Sequence, residues 1–305
     1  MTGVWHDVRH GLRMLGRSPL ATEAVVFALA ASIGANTVLF SVIDEALLRP
    51  LPYPQARRLV TVWESWLDKG FSRLPVLPTD FLEWQTQAGL FDELAAFKSA
   101  AFNLAGTDEP ERLRAARVTP SFLAALGVGP AIGRRCVPED DNPNAERVVL
   151  LADEVWRRRF GADTAVVGRH IRLDGVSHTI VGIMPREFRF ALDWSLSGLT
   201  LLAVDLWVPL ALTPEEQDAG FDLMVVGRLR HDVSVAMART RLEAIAEALE
   251  RRDPKRKGIG LAVVPLQDVI RTAQSALISS RPRALSGIPV RRSKSATDAN
   301  GARSR

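Results

Sequence analysis

Read for the spacing of its apolar positions, the chain opens with two different helical patterns. Trp5, Val8, Leu12 and Leu15 recur at spacings of 3, 4 and 3, with Arg9, Arg13 and Arg17 on the other faces. That is the pattern of a short amphipathic helix lying on a membrane, its arginines near anionic lipid. Residues 24–43 then run for 20 positions without a charged side chain. A helix of that length rises about 30 Å, the thickness of a bilayer core. Ten of the positions are Val, Ile, Leu or Phe and five are Ala. The ten are worth roughly −3 to −6 kcal/mol of insertion, part of which the polar remainder returns. The Ser18-Pro19 step separates the two patterns, because a residue before proline is biased out of helix. Residues 1–18 are therefore expected as a cytoplasmic amphipathic helix and 19–48 as a transmembrane segment.

Within the span, Ala30, Gly34, Thr37 and Ser41 follow at spacings of 4, 3 and 4 and so share one face. Small residues let a second helix approach closely in lipid, and hydroxyls bond across the contact. The face predicts other helices as neighbours, yet the chain has no second apolar run of that length. A plain anchor with incidental small residues is the competing reading. Arg9, Arg13 and Arg17 precede the span while Asp44 and Glu45 follow it, which puts the N-terminus in the cytoplasm and the bulk outside. A cleaved signal peptide ending near Ala28-Leu29-Ala30 competes; the apolar run continuing past that point argues for an uncut anchor.

Beyond residue 50 the period changes repeatedly between strand and helix. Leu59 to Trp63 reads as a strand, followed by a helix capped by Asp80 with Glu83 in capping-box position. That helix buries Phe81, Trp84 and Ala88 and ends at Gly89. Ala95–Phe97, Phe102–Leu104 and Leu113–Val118 read as short strands, and Ser121–Ala125 as a short helix. A second set starts with a strand over residues 147–151. A helix carrying Val155, Trp156 and Phe160 follows and closes at Gly161. Asp174-Gly175 between apolar runs predicts a hairpin, and further strands fall near 205–209, 223–229 and 261–264. Ser234 caps a helix that aligns Val235, Ala238, Leu242, Ile245 and Leu249 and stops before Pro254. This alternation indicates an α+β (mixed α/β) domain over residues 49–268, in two subdomains with a break near 135–146.

Composition adds little until its distribution is considered. Hydrophobic residues are 47% and charged residues 24% of 305, ordinary globular usage. The net charge is +4, but residues 275–305 alone hold seven Lys or Arg against one Asp. The body is thus slightly acidic, and nothing in it calls for nucleic acid. Residues 269–305, turning to Arg, Ser, Pro and Ala, read as a disordered basic tail.

Candidate chemistry is sparse. Cys136 is the single cysteine, so neither an intramolecular disulfide nor a CxxC site is possible, and nothing near it in sequence favours a thiolate. The five histidines are scattered; His6 and His10 lack a third ligand nearby, and His178 sits in an alternating strand as a cross-strand partner. Asp140-Asp141 lies in a Pro/Asn-rich loop and reads as a solvated turn. Gly127-Val128-Gly129 with Gly133 is off-register for a dinucleotide fingerprint and reads as a turn between subdomains, and no GxxxxGK[ST] is present. Arg157, Arg158 and Arg159 point in different directions on one helix, as a solvated face does. No catalytic, cofactor-binding or metal-binding residue, and no cofactor, is expected.

A family resemblance accompanies these patterns. Val8-Arg9-His10-Gly11-Leu12-Arg13-Met14-Leu15, Arg17-Ser18-Pro19, Ile33-Gly34-Ala35-Asn36-Thr37-Val38-Leu39-Phe40-Ser41 and Leu47-Leu48-Arg49-Pro50-Leu51-Pro52-Tyr53-Pro54 resemble the start of MacB/FtsX-like ABC transporter permeases. The likeness is to the bacterial subgroup with a duplicated permease unit. Pro78–Trp84, Phe102–Gly106, Glu109–Arg112, Leu126–Val128 through Gly133-Arg134, Trp156–Gly161, Val166–Arg169, Val181–Pro185 and Leu206–Leu210 are similar, in order, to that family's periplasmic core domain. The resemblance implies two mixed subdomains, one like the porter domains of efflux pumps. It also implies a bacterial inner-membrane location, partnership with other permease helices or a second permease chain, and a cytoplasmic ABC ATPase subunit. In the family more membrane helices follow, so the tail suggests a truncated permease. The rival is a single-pass receptor or scaffold whose outer domain binds a periplasmic protein or lipopeptide; an anchored hydrolase lacks any convergent set of residues.

Overall fold

The computed structural model of the chain describes residues 27, 29–30, 32–34, 51–87, 89–105, 111–188, 190, 193–195, 198–200, 203–217, 220–253 and 256–279. In chain order the strands are β1 (Leu59–Trp66), β2 (Phe71–Leu74), β3 (Phe91–Ala105), β4 (Glu111–Val118), β5 (Ile132–Gly133), β6 (Val148–Leu151) and β7 (His170–Leu173). They continue with β8 (Val176–Ile183), β9 (Asp193–Ser195), β10 (Gly198–Thr200), β11 (Leu206–Pro209), β12 (Met224–Leu229) and β13 (Ile259–Pro265). The helices are α1 (Pro78–Gln87), α2 (Phe122–Leu126), α3 (Asp153–Phe160), α4 (Pro214–Gln217), α5 (Val235–Arg252) and α6 (Leu266–Ser279).

These elements fall into two units that the chain visits alternately. The first holds the described residues up to Ala96, Thr119–Gly129 and Leu212–Ser275; the second holds Phe97–Val118 and Pro130–Ala211. Where the sequence pattern suggests one break near 135–146, the chain changes unit after Ala96, Val118, Gly129 and Ala211. The cause lies in β3. It is one strand of 15 residues rather than two short ones, because Ser99, Ala100 and Ala101 give too little polar contrast for the alternation to be read through them.

In the first unit β1 pairs antiparallel with both β12 and β13, so those two run parallel with β1 between them. Helix α5 connects them, which makes a split β-α-β. Ser234 Oγ accepts from the Met237 N–H at 3.1 Å, the expected cap. Ala238, Leu242, Ala246 and Leu249 are buried on α5. Ala246 takes the inward position in place of Ile245. Helix α1 buries Phe81 and Trp84 as expected. Its start is different: the helix begins at Pro78, and Asp80 lies in the first turn with its N–H bonded to Leu77 O at 3.0 Å. Proline is pre-organised for a first helical position, so it fixes the start two residues ahead of the expected cap.

The second unit's ladders close on themselves. β3 pairs antiparallel with β4, β4 parallel with β11, and β11 antiparallel with β6. β6 then runs parallel with β8, β8 antiparallel with β7, and β7 antiparallel with the end of β3. A closed ladder leaves no long unpaired edge. Inside it Leu113, Val149, Leu151, Ile180, Leu206 and Val208 meet Trp156 and Val155 of α3. The β7–β8 turn is the expected Asp174-Gly175 pair, both at positive φ (48° and 80°), as a two-residue hairpin requires. Asn103 of β3 holds that turn, donating to Asp174 Oδ1 from N at 3.0 Å and Nδ2 at 2.7 Å.

Two glycines of this unit separate backbone strain from crowding. Gly161 ends α3 at φ 60° with open space around an added Cβ, whereas at Gly133, φ 84°, that atom meets Val181 O at 2.2 Å. Gly161→Ala is expected to cost about 1 kcal/mol, the left-handed strain alone, and Gly133→Ala roughly 3 kcal/mol or more, strain plus backbone displacement. Chemical denaturation of the two variants checks the ordering.

Candidate functional site

The segment between the N-terminal apolar run and β1 is where the first unit is joined to whatever precedes it. Leu51 to Arg58 ends in a one-turn 3-10 helix, Ala56–Arg58, entered through Gln55 in a left-handed conformation (φ 52°). Tyr53 is buried, and burial raises its phenol above the ordinary range. Two arginines fasten the segment. Arg58 donates from Nε to Leu229 O at 2.8 Å, from Nη1 to Gln55 Oε1 and to His231 Nε2 at 2.9 Å, and from Nη2 to Asp92. The bond to His231 makes that ring nitrogen an acceptor.

Arg228 sits in the middle of the joint and is 8% exposed. It donates from Nε to Ala125 O and from Nη1 to Pro54 O, both at 2.9 Å, so one guanidinium ties the incoming segment to the C-terminal turn of α2. Its Nη2 is buried without an acceptor among the described residues. Gly127, which ends α2 at φ 70°, leaves room for it: a Cβ there would stand 3.1 Å from Nη2. Burial and the neighbouring Arg58 both pull the Arg228 pKa down. The planar fork suits this geometry, because Nε and Nη1 present donors in fixed directions to two carbonyls, whereas an ammonium is a single compact centre on a flexible stem.

The outgoing chain leaves beside the incoming one. β1 and β13 pair without interruption from Val60↔Pro265 to Trp66↔Ile259, antiparallel, so the start of β1 and the end of β13 are neighbours. Thr61 Oγ1 donates to Val264 O at 3.2 Å across that pair. Helix α6 follows at once, with Leu266 and Val269 buried. Chain in and chain out therefore share one pole of the unit.

Of the helix-packing residues expected from sequence, Ala30 and Gly34 are helical and exposed, and an added Cβ on Gly34 meets nothing within 4 Å. Thr37 and Ser41, and the membrane-surface arginines Arg9, Arg13 and Arg17, lie outside the described residues. Among the described residues no helix is long and apolar enough to cross a membrane.

The candidates weighed in the second unit have structural partners. His178 is buried, its Nδ1 at 3.0 Å from Val176 O and its ring edge-on to Phe102. Burial pushes the Cys136 thiol up to about 12, so it stays protonated. The Asp140-Asp141 pair is not the solvated turn expected. Asp140 binds Arg134 through both oxygens and caps the Val137 N–H, and half-buried Asp141 accepts from Ala211 N at 2.6 Å. The Pro/Asn composition of the loop hid those partners: Arg134 and Val137 lie within the loop itself and Ala211 lies in another segment. Arg157 pairs with Asp153, and Arg158 with Glu111. Among the described residues no group of three His, Cys, Asp or Glu side chains is placed to hold a metal.

Sequence reasoning passed over Arg58 and Arg228. A signal was present for the second: one arginine inside the apolar run Met224–Leu229, every residue of which is buried. A charge in such a strand implies a dedicated partner. Replacing Arg228 by Met removes the buried charge along with its two bonds, while Lys keeps the charge and abandons at least one carbonyl. Arg228→Lys is expected to cost roughly 2–4 kcal/mol and Arg228→Met less, about 1–2 kcal/mol. Denaturant midpoints of the two variants check that order.

A family model for the MacB-like periplasmic core domain matches residues 24–245. Among solved structures, the chain is similar to a domain assigned to a permease of Porphyromonas gingivalis, with 18% identity and a TM-score of 0.50 over 70% of this chain and 93% of that one. It is also similar to the periplasmic region of MacB from Actinobacillus actinomycetemcomitans, at 12% identity and a TM-score of 0.49 over 74% of this chain and 94% of that one. A third is the extracellular domain of the ABC-type transporter YknZ from Gram-positive bacteria, at 9% identity and a TM-score of 0.44 over 67% of this chain and 99% of that one. No curated protein sequence matches significantly.

Proposed function

Because this chain belongs to the family of MacB-like periplasmic core domains of ABC transporter permeases, we propose that it is a membrane-anchored permease component whose folded units stand outside the cytoplasmic membrane. The observation that carries this reading is the pairing of Val60 with Pro265. In the family such a domain is hung between membrane segments and would take in and give back its chain at one pole; the pairing of the start of β1 with the end of β13 supports that reading. Residues 24–43 supply the incoming segment, with Arg9, Arg13 and Arg17 on the cytoplasmic leaflet. The face of Ala30, Gly34, Thr37 and Ser41 packs on other permease helices or on a second permease chain. A cytoplasmic ABC ATPase subunit supplies the energy, and no residue of this chain is assigned a catalytic role.

In this role the joint around Arg58 and Arg228 has a mechanical meaning. Displacement of the incoming segment is delivered through Pro54 O and Leu229 O to β12 and α2. Hydrogen bonds to a buried charge resist such displacement better than apolar contacts, which slide. The alternative role, a single-pass receptor or scaffold, predicts no helix neighbour and no ATPase.

Two measurements on the full chain in native membranes test the proposal. Protease added to intact spheroplasts is expected to cleave the folded units while sparing cytoplasmic controls. A Gly34→Cys variant is expected to crosslink to another membrane polypeptide, and the same preparation to retain a nucleotide-binding subunit. Resistance of the folded units to outside protease, or lipid adducts alone at position 34, would overturn the permease assignment.

A further inference from the structure

The first unit contains a second buried charge cluster that the joint does not use. Glu64 lies in the middle of β1 and is 0% exposed. Its Oε1 accepts the Leu77 N–H at 3.0 Å, which anchors the chain just ahead of α1 to the sheet. Its Oε2 is buried and receives no N–H or O–H among the described residues. The carboxyl facing it is that of Asp80, which lies within hydrogen-bonding reach. Asp80, 2% exposed, is gripped through both oxygens by Arg256 from the turn after α5.

Two carboxyls therefore meet in a closed space with one guanidinium between them, and that guanidinium is spent on Asp80. The charged side chains that act on Glu64 are Asp80 and Arg256. Glu83 of α1 pairs with Arg252 at 2.7 Å, and Asp253 acts on Arg256. On the strands flanking Glu64, the residues directly opposite are Leu74 of β2 and Leu261 of β13. Two carboxylates cannot hydrogen bond to each other; a carboxylic acid and a carboxylate can. A cation is a poorer bridge than a proton here, since Arg256 already opposes positive charge at the site.

We propose that Glu64 and Asp80 hold one proton between them, and that losing it releases the start of α1 from β1: a titratable latch within the outer domain. The chemistry is a simple dissociation, Glu64–COOH giving its proton to solvent base and leaving two facing carboxylates. Repulsion then drives the Asp80–Arg256 pair away from Glu64, and the Leu77 anchor goes with Asp80 because both belong to the same turn. Desolvation first, then the Asp80 carboxyl, lift the Glu64 group from 4.5 to about 9. The sign follows from that direction. The native state holds a proton that the unfolded chain releases, so the latch stabilises fully below about 4.5, progressively less above it, and fails as pH rises through about 9. This inference is independent of the permease assignment and survives its failure.

The test uses the full chain in lipid nanodiscs. Infrared difference spectra of the wild type are expected to show a protonated carboxyl at neutral pH that disappears on alkalinisation. Hydrogen-exchange protection at the Leu77 amide is expected to fall about tenfold per pH unit between about 4.5 and 9 and to level off above that, while α5 and β13 keep theirs. Glu64→Gln keeps an acceptor for Leu77 and donates an amide N–H to Asp80, so its protection should stay flat. The latch is overturned if no neutral-pH carboxyl band exists, if the Gln variant titrates with the wild type, or if the whole unit loses protection together. Should Glu64→Gln fail to fold, the wild-type infrared band alone decides.

Discussion

The unbroken antiparallel pairing of β1 with β13 constrains most of what the first unit can do. Its register spans every position from Val60 to Trp66. β1 is buried along nearly its whole length, on both faces. A slip of one residue would reverse every side chain between those faces and turn Glu64 away from Asp80. The register is therefore fixed by packing on both sides. The pairing brings the beginning and the end of the unit together, places Thr61 against the outgoing carbonyl of Val264, and sets the depth at which Glu64 is sealed. The joint and the latch engage the chain six residues apart, at Arg58 just ahead of β1 and at Glu64 within it.

Polar interiors are distributed unevenly between the two units. Thr61, Glu64, Ser65, Asp80, Thr119 and Arg228 are buried in the first, and among the described residues His178 is the buried polar side chain of the second. The second unit closes its ladder around an apolar interior. Such a body needs no specific polar partners, and its parts cannot be displaced without opening cavities. The first unit carries its ionised groups where segments distant in sequence meet: Pro54 with Ala125, Asp80 with Arg256. Buried ion pairs are a weak source of stability compared with apolar replacements. Their presence at connections, and their scarcity in the second unit, fits a unit whose attachments are defined by direction as well as by area.

The local elements were legible in the sequence wherever one residue type has one dominant physical use. Asp174-Gly175 could only be a tight turn, Ser234 ahead of an apolar helical face could only be a cap, and Gly161 closed its helix at positive φ. Legibility failed where the deciding partner is far away along the chain. Asp80 and Glu83 have capping-box spacing, yet the same three-residue interval aligns both carboxyls toward Arg256 and Arg252, some 170 residues later. Spacing alone does not separate these uses. Asp140 looked like a loop residue for a different reason: Arg134 and the Val137 N–H are close along the chain but satisfy it only once the loop is folded.

Charge inside an apolar strand was the signal that sequence reasoning left unused, and it was the most informative one. Val-Thr-Val-Trp-Glu-Ser-Trp in β1 and Met-Val-Val-Gly-Arg-Leu in β12 each contain one ionisable residue among apolar neighbours. In an isolated strand either would be placed on the solvent face. Both are buried, because β1 and β12 lie inside the sheet with layers on either side, and a central strand has no solvent face to offer. An ionisable group there must find a partner of defined geometry. Arg228 finds carbonyl oxygens, which fix position without changing its charge. Glu64 finds another carboxyl, which it can accept only by keeping a proton. The same strand environment thus makes one residue a permanent tie and the other a conditional one. The difference rests on the chemistry of the partner together with the depth of burial, Glu64 being sealed and Arg228 8% exposed.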